Sequence, residues 1–173
     1  MTEPRRLHLL RHAKAQPCAP GGDAERALSE NGLAGAALIG EFIRGQAIAP
    51  DLVLCSSARR ARQTVEAIAP ALPATVPVVT EDRLYLASAN ALLERLREVD
   101  DGVPSILLVG HNPGLHELAA GLLHNGERAA LPSFPTAALA VEELTVGRWV
   151  ELGAHTTTLV TFVTPGLLSD SRA

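Results

Sequence analysis

Cysteine is scarce in this chain: Cys18 and Cys55 are the only two among 173 residues. Two thiols cannot frame a disulfide scaffold, and Cys55 closes an apolar run where a free thiol sits comfortably. A reducing compartment, and with it a cytoplasmic location, is the expectation. Long hydrophobic runs are missing too. No stretch approaches the roughly 20 apolar residues that span a bilayer, so no membrane partner is expected. Met1–Arg6 is polar and only the short run Leu7–Leu10 follows it, which is not the pattern of a signal peptide. Positive charge is not in excess, with 15 Lys and Arg against 19 Asp and Glu, and a net charge of −4. That balance argues against a nucleic-acid partner and makes any basic cluster a local one. Repeats and low-complexity linkers are also lacking, and one domain over residues 1–173 is expected.

What is present is ordinary globular composition, 47% apolar and 20% charged, which excludes a disordered chain. Short apolar runs alternate with helical patterns. That alternation predicts an α/β fold, a three-layer sandwich with a central, mostly parallel sheet flanked by helices. Strands are expected at Leu7–Leu10, Asp51–Cys55, Val76–Thr80 and Ser105–Gly110, the last apolar on both faces and therefore central. Between them, Ser29 caps a helix with apolar residues at Leu33, Ala36, Ala37 and Ile43. A second helix runs from Ala58 until Pro70 stops it. A third, capped by Ser88, carries Leu92, Leu93, Leu96 and Val99, and a fourth spans Pro113–Leu123. Thr136–Glu142 and Arg148–Ala154 read as a late strand pair around Gly147, with Leu159–Val163 as a further edge strand.

In open α/β sheets, ligands bind beyond the carboxyl ends of the strands. Three of the expected strands end in unusual polar groups. The first runs into Arg11-His12, the second into Ser56-Ser57 with Arg59, Arg60 and Arg62 at a helix start, and the fourth into His111-Asn112. If these strands are parallel neighbours, two histidines and several arginines meet at one edge as an anion site. The chemistry such a set permits is phosphoryl transfer. A neutral imidazole attacks phosphorus and splits one displacement into two easier ones. Arginine forks match the charge spread over the equatorial oxygens.

Taken in order, these motifs resemble the histidine phosphatase superfamily, and within it the SixA-like phosphohistidine phosphatases. Leu10-Arg11-His12-Ala13-Lys14-Ala15 is similar to the family's first motif, and Asp23, Arg26, Leu28 and Gly32 follow at the branch's spacing. Ser56 to Thr64 resembles the second motif, in which Arg60, directly before Ala61, binds phosphate. Gly110-His111-Asn112-Pro113-Gly114 resembles the third. The resemblance runs from Leu7 to about Ala140. It implies His12 as nucleophile, with Arg11, Arg60 and His111 completing the phosphate pocket, and no metal or other cofactor.

Phosphoglycerate mutase-like members add a glutamate that protonates the leaving oxygen. Here the matching stretch offers Asp82 or Glu81 as candidate acid, and neither is a secure match. A histidine imidazole, with a pKa near 6.5, leaves far more readily than an alkoxide, so a missing acid favours a phosphohistidine substrate. The expected partner is therefore a phosphorylated protein, or else a small phosphate ester, with a monomer favoured. Two alternatives stand beside this reading: a phosphatase for a small monoester with Asp82 or Glu81 as acid, and a non-catalytic phosphate-binding module. The Leu131–Pro135 segment is expected to border the pocket, with Asn112, Phe134 and Thr136 touching substrate and Phe134 as an apolar wall. Lys14, Arg59 and Arg62 read as solvated cations. His8, His116, His124 and His155 read as non-catalytic, since no spacing among them suits zinc.

Overall fold

The structure is a computed structural model that describes residues 4–124, 127–131 and 133–171. Six strands form one sheet: β1 (Arg6–Arg11), β2 (Leu52–Ser56), β3 (Val78–Glu81), β4 (Ser105–Gly110), β5 (Leu139–Leu144) and β6 (Thr157–Val163). Their order is β3-β2-β4-β1-β5-β6. The first four in that order are parallel, whereas β5 runs antiparallel to β1 and β6 antiparallel to β5. Among the described residues, five α-helices accompany it: α1 (Glu30–Gly45), α2 (Arg59–Ile68), α3 (Ala89–Arg97), α4 (Gly114–Leu122) and α5 (Pro165–Asp170).

The alternation of strand side chains divides the core into two layers. Leu7 and Leu9 of β1, with Ile106 and Leu108 of β4, pack against Leu92 and Leu96 of α3 and Leu115 and Leu118 of α4. Leu10, Leu107 and Val109 point the other way, onto Ile39 and Ile43 of α1 and Val65 and Ile68 of α2. The strands are apolar in both directions because helices cover both faces, as the sequence pattern of β4 implies. Truncating one of these fully buried leucines to alanine would cost about 2–5 kcal/mol.

Local signals explain where the helices start. The Ser29 side chain accepts from the Gly32 amide at 3.1 Å and Ser88 accepts from the Ala91 amide at 3.3 Å, so both expected caps are in place. Gly32 is required for a further reason: a Cβ there would lie 1.9 Å from the Lys14 carbonyl oxygen. Without that close approach the chain leaving β1 could not rest on the start of α1.

The late strand pair differs from expectation. Arg148–Ala154 is not a strand; Trp149–Glu151 forms a 3-10 turn, and the partner of β5 is Thr157–Val163. The Trp149 side chain is fully buried with its Nε1 donating to the Val103 carbonyl at 2.7 Å, so one residue of a turn mimics a strand's apolar signal. The expected third strand is also displaced by about a turn's end. Val76 donates to the Pro73 carbonyl rather than to the sheet, and pairing begins at Val78.

Candidate active site

The carboxyl ends of β1, β2 and β4 do lie side by side, because β4 sits between the other two. His12 follows β1 directly, and its amide donates to the Gly110 carbonyl at the end of β4 at 3.1 Å. The Ala137 amide donates to the His12 carbonyl, so the chain is gripped from both sides as it leaves the sheet. Ala13 donates to the Thr64 hydroxyl at 3.0 Å, and Thr64 donates to the Arg60 carbonyl at 2.7 Å. This ties the loop after β1 to the helix that carries Arg60.

The His12 ring is buried, with Nδ1 2.8 Å from the Ala13 carbonyl. A carbonyl can only accept, so Nδ1 holds the proton and Nε2 keeps its lone pair. Arg60 Nε donates to that Nε2 at 3.2 Å. Arg60 itself is 1% exposed, whereas Arg59 and Arg62 on the same helix face solvent. Its Nη2 donates to His111 Nδ1 at 3.2 Å, which leaves the His111 proton on Nε2, 2.7 Å from the Ser56 hydroxyl. The two imidazoles are 5.0 Å apart between ring centres. Burial pushes His12 down to about 4, with Arg60, Arg11 and Arg26 adding to the shift and the Ala13 carbonyl opposing it. Burial, His12 and the arginines push His111 to about 3. Both rings are therefore neutral at pH 7.

Arg11 donates through Nη1 to the Phe134 carbonyl at 2.9 Å. Its Nε is a buried donor with no partner among the described residues. Burial and the nearby Arg60 lower its affinity for its proton. An orphaned donor is costly unless an acceptor arrives, and here it belongs to a side chain lining a cavity of about 340 Å³. Four cationic side chains, Arg11, Lys14, Arg26 and Arg60, line that cavity against one carboxylate, Asp23. It is an anion site in a chain whose net charge is negative.

His12, Arg11, Arg60 and His111 converge there, and Asn112, Thr136 and Lys14 join them. Phe134 does not wall the cavity. Its ring is core, 5.5 Å from Phe162 and 6.0 Å from His116, because the strand-side packing offers a large ring more contact than the rim does. Its contribution is the carbonyl that holds Arg11 and also accepts from Asn112 Nδ2 at 2.8 Å. Pro132, within the Leu131–Pro135 border, lies outside the described residues. Neither candidate acid lines the cavity. Glu81 is drawn away by Arg95 and Arg83, which hold its carboxyl below the usual range, and Asp82 opens the 3-10 turn Asp82–Leu84 beyond β3. His8, His116 and His155 pair elsewhere, with the Ser105 hydroxyl and the carbonyls of Leu131 and Leu123.

Four lining residues escape sequence reasoning as site groups: Ala15, Asp23, Arg26 and Leu86. The available signal is the Asp23/Arg26 pair three residues apart in an otherwise Gly- and Pro-rich loop. Leu86 shows only as an apolar residue at a loop start; it is 55% exposed and left-handed at φ 49°. Among the described residues, no three His, Cys, Asp or Glu side chains group to hold a metal ion, and no helix is long and apolar enough to cross a membrane.

Comparison with known proteins agrees with this geometry. The profile of the histidine phosphatase superfamily (branch 1) matches residues 7–85. Protein Rv1276c of Mycobacterium tuberculosis is 35% identical over 162 residues, covering 90% of this chain and 99% of its own. The phosphohistidine phosphatase SixA of Escherichia coli is 31% identical over 138 residues, 78% of this chain and 82% of its own. The solved structure of the protein histidine phosphatase SixA complexed with tungstate superposes with a TM-score of 0.78 at 26% identity, over 94% of this chain and 99% of that one. With its charged side chains gathered at the same strand ends that its motifs mark, the chain belongs to the histidine phosphatase superfamily, in the SixA-like branch.

Proposed function

We propose that this protein hydrolyses phosphohistidine on a partner protein through a covalent phosphohistidine on His12. The observation that carries the substrate choice is the state of Asp23. It is the one carboxylate lining the cavity among the described residues. Arg60, Arg26 and Tyr85 engage both its oxygens, and together they hold it at about 2, the Tyr85 hydroxyl contributing most. At neutral pH it has no proton to donate. An alkoxide leaving group needs one, whereas the imidazole of a phosphohistidine can arrive already protonated on its other ring nitrogen and then departs as the neutral base.

The steps follow from the donors in place. His12 Nε2 attacks phosphorus as the substrate's N–P bond breaks; the ring stays neutral well below pH 7, and the Arg60 Nε–H that its lone pair accepts turns to a phosphoryl oxygen as substrate binds. The Arg60 guanidinium and Arg11 Nε hold the equatorial oxygens. A dianionic phosphoryl group favours protonation of His111, whose Nδ1 then donates to it while Ser56 supports Nε2. In the second half, water attacks phosphorus and releases His12. One water proton stays on the product phosphate and the other passes to solvent. The related SixA is complexed with tungstate, an oxyanion like phosphate, which supports an oxyanion as the ligand here. A cytoplasmic location fits the free thiols of Cys18 and Cys55.

The test is a side-by-side comparison of kcat/KM for a phosphohistidine-bearing protein, an aryl phosphate and glycerol phosphate. General acid catalysis is worth about 10²–10⁴-fold, so phosphohistidine should exceed glycerol phosphate by at least about a hundredfold. Comparable rates on glycerol phosphate would move the reading to a monoester phosphatase.

A further inference from the structure

Arg60 spends its five N–H groups in two directions. Its Nε and Nη2 reach His12 Nε2 and His111 Nδ1, each at 3.2 Å. Its Nη1 donates to the Asp23 main-chain oxygen at 2.8 Å, and Nη2 donates also to Asp23 Oδ2 at 3.0 Å. One edge of the guanidinium thus faces the two imidazoles, and the other end is held by a single residue. We propose that Asp23 is a positioning residue that fixes which edge of Arg60 meets the phosphoryl group. This rests on the reading that Arg60 binds phosphoryl oxygens.

Asp23 is itself fixed from three sides. Arg26 donates to Oδ1 through Nε at 2.8 Å, and its Nη2 lies at 2.8 Å from the same oxygen. The Tyr85 hydroxyl donates to Oδ2 at 2.5 Å, and its ring stands 5.8 Å from the Arg60 guanidinium carbon and edge-on to His111. Asp23 opens a 3-10 turn behind Gly22, whose φ of 92° is a conformation that side-chain-bearing residues rarely adopt. The turn therefore presents backbone oxygen and carboxylate to Arg60 together.

The need for such a hold follows from charge. Arg60 is buried beside Arg11, with Arg26 close by, and like charges push a flexible guanidinium toward solvent. Asp23 supplies the compensating charge on the side away from the imidazoles. Its carboxylate can stay there while a phosphoryl group uses the opposite edge. A planar fork held at one end presents the other in a fixed plane, and small errors in that plane are costly in phosphoryl transfer.

A double-mutant cycle on Asp23→Ala, Arg60→Ala and the double variant tests this, read by kcat/KM and by the inhibition constant of inorganic phosphate. Arg60→Ala should weaken phosphate about a hundredfold and Asp23→Ala about tenfold. The double variant should be within about twofold of Arg60→Ala, because Asp23 has nothing left to position. Losses that multiply toward a thousandfold would assign Asp23 an independent role and overturn the proposal, as would wild-type phosphate binding in Asp23→Ala. If Arg60→Ala alone leaves phosphate binding intact, the reading of Arg60 fails instead. Should Asp23→Ala not fold, Asp23→Asn keeps the volume and one acceptor, and it must show the same loss of effect in the Arg60→Ala background.

Discussion

His8 and His12 stand four residues apart along β1 and its exit, and burial treats them alike. Both are almost fully buried and both are pushed to about 4, chiefly by loss of water. Their neighbours differ. His12 meets Arg60, with Arg11 and His111 close by, at the carboxyl end of the sheet. His8, within the strand, has the Ser105 hydroxyl at 3.0 Å, and its Nδ1 finds no partner among the described residues. The cavity His8 borders is the larger, about 700 Å³ against about 340 Å³, yet Arg6 and Asp51 balance each other there. A depressed histidine and a roomy cavity therefore mark both ends of the sheet. Convergent charge marks only one, and it is the better guide to chemistry.

The comparison should be widest in turnover. His12→Ala is expected to lose on the order of 10³-fold or more in kcat, while His8→Leu stays within about twofold of wild type. Steady-state rates on an aryl phosphate check both, and a His8 variant as inactive as the His12 one would erase the distinction.

Stability against pH should instead show the two histidines behaving alike. Each has a folded pKa near 4 and an unfolded value near 6.5. Between those values the unfolded chain binds a proton that the folded chain refuses, so stability is full above about 6.5 and falls as pH drops toward 4. From pH 7 to pH 5 each ring contributes a loss of up to about 2 kcal/mol. Urea midpoints at the two pH values should lie closer together in His8→Leu than in wild type. An unchanged gap would mean that His8 is not held neutral by burial.

The smallest effect is expected from the carboxylates that the fold leaves outside the cavity. Replacing Glu81 by Gln and Asp82 by Asn together should change the phosphohistidine rate by less than about twofold. A true acid would cost about 10²–10⁴-fold, so the assay separates the outcomes cleanly.

The charged edge of the candidate site was legible because its residues sit directly at strand ends, where a parallel sheet must bring them together. Leu9-Leu10-Arg11-His12 and Val109-Gly110-His111 need only the pairing of β1 with β4 to become neighbours. Asp23 was legible only as part of the branch's motif spacing and not as a site residue, since no periodicity tells where a Gly- and Pro-rich loop will set a carboxylate. Phe134 and Trp149 misled for a shared reason. A large buried ring looks the same in sequence whether it lines a pocket, sits in a strand or plugs a turn. The short helix α5 passed unnoticed although Thr164 caps it and Pro165 opens it, because six residues are too few to show a helical period.

Direct trapping of the phosphoenzyme tests the central claim best. Brief reaction with labelled substrate, quenched in alkali, should leave one acid-labile, alkali-stable label per chain, mapping to the peptide that carries His12. His12→Ala should carry none while His8→Leu labels like wild type. Label retained by folded His12→Ala, or wild-type label that survives acid, would contradict a phosphohistidine on His12.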